Sequence, residues 1–247
     1  MTQPQTNLAA VDRPFPQFLE HSGVRIPFDD QIITPAIEDA IRTGAFEAEE
    51  ASEIPSIVVQ GDRVLEIGAG IGFISTLLAR QPEVIRIVAV EANPFLLPYM
   101  QRLHEENAVH KVERRNVVLT NSANTQMTFY LRRDFWMGSL SQGPNPYESS
   151  VSVPTQSLNE LLQSEQITLI VCDIEGAETY LFDGADLTGV DRIYLEIHDH
   201  VTGLCGVQRL FRTMTEQGFA FDPRHSSGSI VLFRRTSENE VLRPYCG

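Results

Sequence analysis

The stretch that most constrains this 247-residue chain is Val64-Leu65-Glu66-Ile67-Gly68-Ala69-Gly70-Ile71-Gly72-Phe73. An apolar run leads into three glycines and then into a helical pattern. Glycine reaches backbone angles closed to other residues and lets a ligand approach the main chain closely. A helix starting there presents N–H groups that no earlier turn satisfies. Strand, glycine turn and helix together make the first unit of a doubly wound α/β sheet. The rest of the chain alternates in the same way. Strands are predicted over residues 63–67, 85–90, 112–119, 127–131, 167–172 and 192–197, and helices over 73–80, 94–107, 158–163 and 207–217. Ser157 is placed to cap the third helix and Gly218 to stop the last. Short apolar runs over 219–221 and 229–233 suit a C-terminal antiparallel hairpin. We expect a mostly parallel, doubly wound sheet with helices on both faces.

Ahead of this sheet, residues 1–20 read as a loose arm rich in Gln, Pro and Thr. Residues 29–52 read as helices, with Ile33, Ile37 and Ile41 on one face and Gly44 ending the first. The chain thus divides into an N-terminal arm with helices, 1–52, and a ligand-binding α/β domain, 53–247. The acidic run Glu47, Glu49, Glu50 and Glu53 reads as a solvated helix face. Residues 132–153 change texture, to Gly, Ser, Pro and Asn with Phe135, Trp136 and Tyr147 embedded. Such a loop is either a binding lid or a surface loop whose aromatics plug the core.

Composition narrows the partners. Asp plus Glu number 33 against 19 Lys plus Arg, a net charge of −14. That charge repels a phosphate backbone, and only Arg114, Arg115, Arg132 and Arg133 could form a basic patch, so no nucleic-acid partner is expected. Cys172, Cys205 and Cys246 are too few and too scattered for a disulfide framework or a zinc site, which suits a reducing, cytoplasmic compartment. No apolar signal core opens the chain, and no stretch approaches the roughly 18–20 apolar residues of a membrane span.

The glycine pattern also narrows the ligand. Dinucleotide sites use G-x-G-x-x-G around a pyrophosphate. Here the third glycine comes one residue early, at Gly72, and bulky Phe73 takes the dinucleotide position. Glu66, just before the turn, suits a ligand with a positive amino group rather than a phosphate. S-adenosylmethionine carries an amino-acid end and no phosphate, so it fits better than NAD. The next strand ends at Glu91, where a carboxylate can accept hydrogen bonds from both ribose hydroxyls. The expected cofactor contacts from these two junctions are Glu66, Gly68, Ala69, Gly70, Gly72, Phe73, Glu91 and Asn93. The rival readings are an NAD-dependent oxidoreductase and a non-catalytic S-adenosylmethionine-binding protein.

Two later strands deliver the reactive groups. One ends in Asp173-Ile174-Glu175-Gly176-Ala177-Glu178, the other in Glu196-Ile197-His198. Ligands of open α/β sheets bind beyond these carboxyl ends. Methyl transfer chiefly needs alignment, and a hydroxyl acceptor gains from a base. His198 and Asp173 are therefore the catalytic candidates, with His198 as base, and Trp136, Glu175 and Glu196 are expected on the substrate side. Asp173, Glu196 and His198 could also hold a divalent metal, but no tight ligand spacing compels one and no metal ligand is assigned.

With these residues in place the chain resembles the FkbM family of class I S-adenosylmethionine-dependent methyltransferases, over residues 44–235. The marks are Phe46-Glu47 with Glu50, the glycine loop, Val90-Glu91-Ala92-Asn93-Pro94, Gly138-Ser139-Leu140 and the Asp173–Glu178 segment. The family often carries Asp where Glu66 stands. The resemblance implies a Rossmann-like class I methyltransferase fold, with a mostly parallel seven-stranded sheet. It also implies cofactor contacts at Glu66, Gly68, Gly70, Glu91 and Asn116, with Ser139 and Asp173 nearby. It further implies O-methylation of a hydroxylated small molecule, a natural product or sugar-like acceptor. A homo-oligomer through the N-terminal helices is a further expectation.

Overall fold

A computed structural model describes residues 17–122, 124–237 and 243–244. Most of the predicted arm, and Cys246, lie outside the described residues. The end of the arm is ordered as a hairpin of β1 (Phe18–His21) and β2 (Val24–Pro27). Helix α1 (Pro35–Thr43) follows, for local reasons. The Thr34 hydroxyl accepts from the Ile37 N–H, proline occupies the first turn, and Gly44 closes the helix at φ 76°. Ile33, Ile37 and Ile41 are all buried, as their spacing predicts. Helix α2 (Ala48–Ile57) completes the N-terminal part.

The α/β part runs β3 (Asp62–Ile67), α3 (Phe73–Arg80), β4 (Val84–Val90), α4 (Leu97–Glu106), β5 (Val112–Arg115), β6 (Val118–Thr120), β7 (Gln126–Leu131), β8 (Ser149–Ser157), α5 (Leu158–Glu165), β9 (Leu169–Cys172), α6 (Glu178–Leu181), β10 (Arg192–Glu196), α7 (Asp199–Glu216), β11 (Phe219–Phe221) and β12 (Ile230–Arg235). The main sheet has the order β11-β12-β10-β9-β3-β4-β5, seven strands as expected. Only β12 runs against its neighbours. This is a Rossmann-like α/β fold with a C-terminal hairpin.

Three departures from the sequence reading have physical causes. The single strand predicted over 112–119 is two. Asn116 donates its side-chain amide to the carbonyls of Glu91 (2.8 Å) and Ala92 (3.0 Å), which ends pairing with β4. The chain then leaves the main sheet, and β6 joins a second sheet of order β6-β8-β7. Strand β8 falls partly in the segment read as loop, because Ser and Pro mask its signal. Pro154 fits there because β6 pairing begins only at Thr155. Helix α7 starts at Asp199, before the predicted 207, and crosses Gly203 at φ 64° as a kink.

The core has a layer on each face of the sheet. One joins β1, β2, α1 and α2 to α3 and α4, and the other holds α5, α6 and α7. The apolar faces of α1 and α2 are thus buried within the chain itself. No helix of the described residues is long and apolar enough to cross a membrane.

Candidate functional site

The glycine turn is built around two close approaches. Gly68 sits at φ 85°, and a Cβ there would lie 1.8 Å from the Asp173 carbonyl oxygen. The turn after β3 is thereby pressed onto the turn after β9. Gly70 donates its N–H to Glu91 Oε2 at 2.7 Å, and the Asn93 N–H donates to Oε1 at 2.7 Å. Glu91 thus ties the β3 and β4 turns together. Its burial pushes the carboxyl up to about 7, against the pull of the Asn93 and Gly70 amides. A cavity of about 400 Å³ opens over these strand ends, lined among others by Gly68, Gly70, Glu91, Leu119, Phe135 and Asp173. That is the size and place of a small-molecule site in an open α/β sheet.

The other cofactor candidates divide between wall, support and core. Ser139 lines the cavity and donates its hydroxyl to the Glu175 carbonyl at 3.1 Å. Asn116 and Asn93 stand behind the wall, Asn116 on the Glu91 and Ala92 carbonyls and Asn93 on the Phe95 N–H. Glu66 and Ala69 line a second, smaller cavity of about 20 Å³. Burial drives the Glu66 carboxyl up to about 8, opposed by hydrogen bonds to Ser75, and its Oε2 has no hydrogen-bond partner. Gly72 and Phe73 point away from both cavities, contrary to expectation. A Cβ on Gly72 would meet Met100 Cγ at 2.5 Å, so this glycine brings α3 against α4. Phe73 is fully buried and stacks on His21.

The aromatic loop closes one wall. Residues Phe135–Met137 form one turn of 3-10 helix, and Phe135 and Trp136 line the cavity. Both also pack on buried Phe46, with ring centroids 6.3 and 6.1 Å away. The two functions weighed for this loop, binding wall and core plug, are combined here. Tyr147 lies outside the cavity wall and packs on Tyr130.

The acidic run is not a solvated face. Glu47 and Glu50 line the small cavity, and Glu53 pairs with His225 at 3.0 Å, leaving Glu49 exposed. Burial and then Glu50 push the Glu47 carboxyl well up, and burial takes Glu50 to about 7. The sequence signal for these two was the Phe46-Glu47 mark with Glu50, not the charge run.

Asp173, Glu175, Glu196 and His198 do come together. His198 Nε2 lies 3.4 Å from Asp173 Oδ1, 3.8 Å from Glu175 Oε1 and 3.9 Å from Glu196 Oε2. Behind the ring, Nδ1 lies 3.4 Å from Glu178 Oε1. Glu178 is completely buried and accepts the backbone N–H groups of His198 and Gly176, each at 2.8 Å. Burial opposes charge on His198, but Glu178, Asp173 and Glu175 outweigh it and raise the ring to about 9. These carboxylates favour the protonated ring over the free base. The Asp173 side chain stays 40% exposed, open to the cavity. Withdrawal from bulk water pushes its carboxyl up, His198 opposes, and Glu196, Glu50 and Glu175 push the same way.

The model of the methyltransferase FkbM domain matches residues 66–221. A search of curated proteins returns no match. Among solved structures, TYW2 of M. jannaschii in complex with AdoMet is similar, with 13% identity, TM-score 0.49, 91% of this chain and 88% of that one covered. Trm5b of Pyrococcus abyssi gives 13% identity and TM-score 0.48 over 87% of this chain, which spans 54% of Trm5b. Precorrin-6y C5,15-methyltransferase of Geobacter metallireducens gives 15% identity, TM-score 0.44 and coverages of 77% and 88%. Likeness at this level does not carry an acceptor from one protein to another.

Proposed function

The chain belongs to the FkbM methyltransferase family, and from that premise we propose that it methylates a hydroxyl of a small molecule. S-adenosylmethionine is the cofactor, and it supplies a methyl group on a sulfonium that departs as a neutral thioether. The reading rests on Glu91. Its two oxygens are fixed by the Gly70 and Asn93 amides at the cavity wall, and each keeps an acceptor position for a ribose hydroxyl. Gly68 and Gly70 line the cavity with bare backbone, and Leu119 and Phe135 offer apolar surface for a planar ring. Glu66 lies behind this wall, on the small cavity beside Gly68 and Ala69. The residues present therefore fit this cofactor, and nothing among them favours the pyrophosphate of NAD.

On the acceptor side, Trp136, Glu175 and Glu196 border the place where Asp173 opens. We assign Asp173 the proton of the acceptor hydroxyl as the oxygen–carbon bond forms, because its carboxyl opens to the cavity at the acceptor side. His198, gripped from behind by Glu178, holds Asp173 in position. The acidic mouth and the net charge of −14 favour a small acceptor over a nucleic acid. Three cysteines scattered along the chain suit a reducing, cytoplasmic setting.

Isothermal titration with S-adenosylhomocysteine tests the reading. Wild type binds, and Glu91→Ala weakens binding by about 10- to 100-fold, the effect of losing charge-assisted hydrogen bonds. Absence of binding by wild type at high micromolar ligand defeats the reading. Turnover with a panel of hydroxylated acceptors separates an enzyme from a silent binder. There Asp173→Ala abolishes transfer, and His198→Ala slows it by about 10²-fold through misplacement of Asp173.

A further inference from the structure

We propose that Asp173, Glu196 and His198 form a binding site for a divalent cation at the mouth of the cavity. One ligand atom from each lies within 4.8 Å of the others, so a single ion can reach all three with small side-chain adjustment. The three sit at the ends of adjacent parallel strands, β9 and β10, whose register fixes their separation. The imidazole is aimed as a metal ligand is aimed. Glu178 Oε1 lies 3.4 Å from Nδ1 on the buried side, so Nε2 is the nitrogen that faces Asp173 and Glu196, and a cation there would displace its proton. A carboxylate behind a histidine fixes both tautomer and ring orientation at metal sites.

A second observation points the same way. The 20 Å³ cavity shares Asp173 and Glu196 as wall residues and is also lined by Glu66 and Tyr194. Glu66 Oε2 and the Tyr194 hydroxyl have no hydrogen-bond partner, although these residues are only 2% and 1% exposed. Buried polar atoms of this kind need a ligand, water or ion. The volume is that of one or two small occupants. Among the described residues, no lysine or arginine pairs with Asp173, Glu175 or Glu196, whose ion-pair partners are histidines alone. A concentration of carboxylates with one imidazole suits Mg²⁺ or Mn²⁺. Coordination by three side chains leaves positions open for oxygen atoms of water or acceptor, and a bound hydroxyl would ionise more readily.

The ion's role with an acceptor rests on the methyltransferase reading, whereas its binding does not. Mn²⁺ titration of metal-free protein, followed by electron paramagnetic resonance, tests the site. Wild type is expected to bind one Mn²⁺ per chain, displaced by Mg²⁺. Glu196→Gln, Asp173→Asn and His198→Ala each weaken it by at least about 10-fold, and Glu178→Gln weakens it through misalignment of the ring by about 10-fold. Circular dichroism and thermal unfolding of each variant report whether the fold survives. No Mn²⁺ bound by wild type at millimolar concentration overturns the proposal, as does binding unchanged in Glu196→Gln and His198→Ala. Mn²⁺ binding without S-adenosylhomocysteine binding would leave the ion site standing and defeat the methyltransferase reading.

Discussion

Glu66 shows how one residue can be readable in type and unreadable in state. Its acidic character before the glycine turn is plain in the sequence, and it points to a cationic end of the ligand. Its burial is a tertiary fact, and burial raises its carboxyl from the ordinary carboxylate range to about 8. A group whose proton affinity is higher in the fold than in the open chain stabilises the fold at low pH. That contribution is lost as pH rises from about 4.5 through about 8. Glu66→Gln should therefore leave stability nearly unchanged near pH 4.5 and raise it by about 1–3 kcal/mol at pH 8.5. Urea unfolding of ligand-free protein at the two pH values measures this. Equal differences at both pH values would remove the argument. His198 is the converse case. An isolated imidazole is a fair base near neutrality, but Glu178 and the carboxylates at Nε2 raise the proton affinity of this one.

At the scale of elements, the three glycines of the loop do three different things. Gly68 lets the β3 turn touch the β9 turn, Gly70 offers its amide to Glu91, and Gly72 lets α3 pack on α4. Gly72→Ala puts a methyl group 2.5 Å from Met100 Cγ and 2.8 Å from His104 Nε2, at a φ of +86°. It should cost about 1–3 kcal/mol in thermal or urea unfolding. The folded variant should bind S-adenosylhomocysteine within about 3-fold of wild type, because no part of Gly72 lines the cavity. A large loss of affinity at normal stability would return Gly72 to the ligand site. The aromatic loop has a comparable dual character, since Phe135 and Trp136 wall the cavity and rest on Phe46 between α1 and α2. Phe46→Ala should loosen that wall, weakening ligand binding although Phe46 lies behind it. Titration of the variant checks this, and unchanged affinity would show a wall that stands without its backing.

At the scale of the molecule, the N-terminal elements and the sheet are joined by more than apolar contact. Arg192 at the start of β10 pairs with Asp62 at 2.6 Å and donates to the Ile57 carbonyl at the end of α2 at 2.8 Å. Both side chains are buried, so removing one leaves a charge without its partner. Arg192→Ala should cost about 3–5 kcal/mol of unfolding free energy. A loss below about 1 kcal/mol would show that water reaches Asp62. This pair lies at the opposite end of the strands from the cavity, so the folded fraction should keep its ligand affinity.

The sequence by itself determined the elements whose signals are local. The β3–glycine–α3 junction, the stop of α1 at Gly44, the apolar stripe of Ile33, Ile37 and Ile41, and the doubly wound, mostly parallel sheet follow from neighbouring residues and their period. Glu91, Asp173 and His198 could be named because strand ends face one edge of such a sheet. The tertiary structure alone decided which acids face inward, since Glu47 and Glu50 differ from Glu49 only in what α2 meets. It also decided that the run over 112–119 breaks at Asn116, whose amide is claimed by carbonyls far along the chain. Protonation is of the same kind, because it depends on which charges the register of β9 and β10 brings within a few ångströms. Dihedral preference and periodicity act between neighbours, whereas burial and electrostatic coupling act between residues that only the completed sheet makes adjacent.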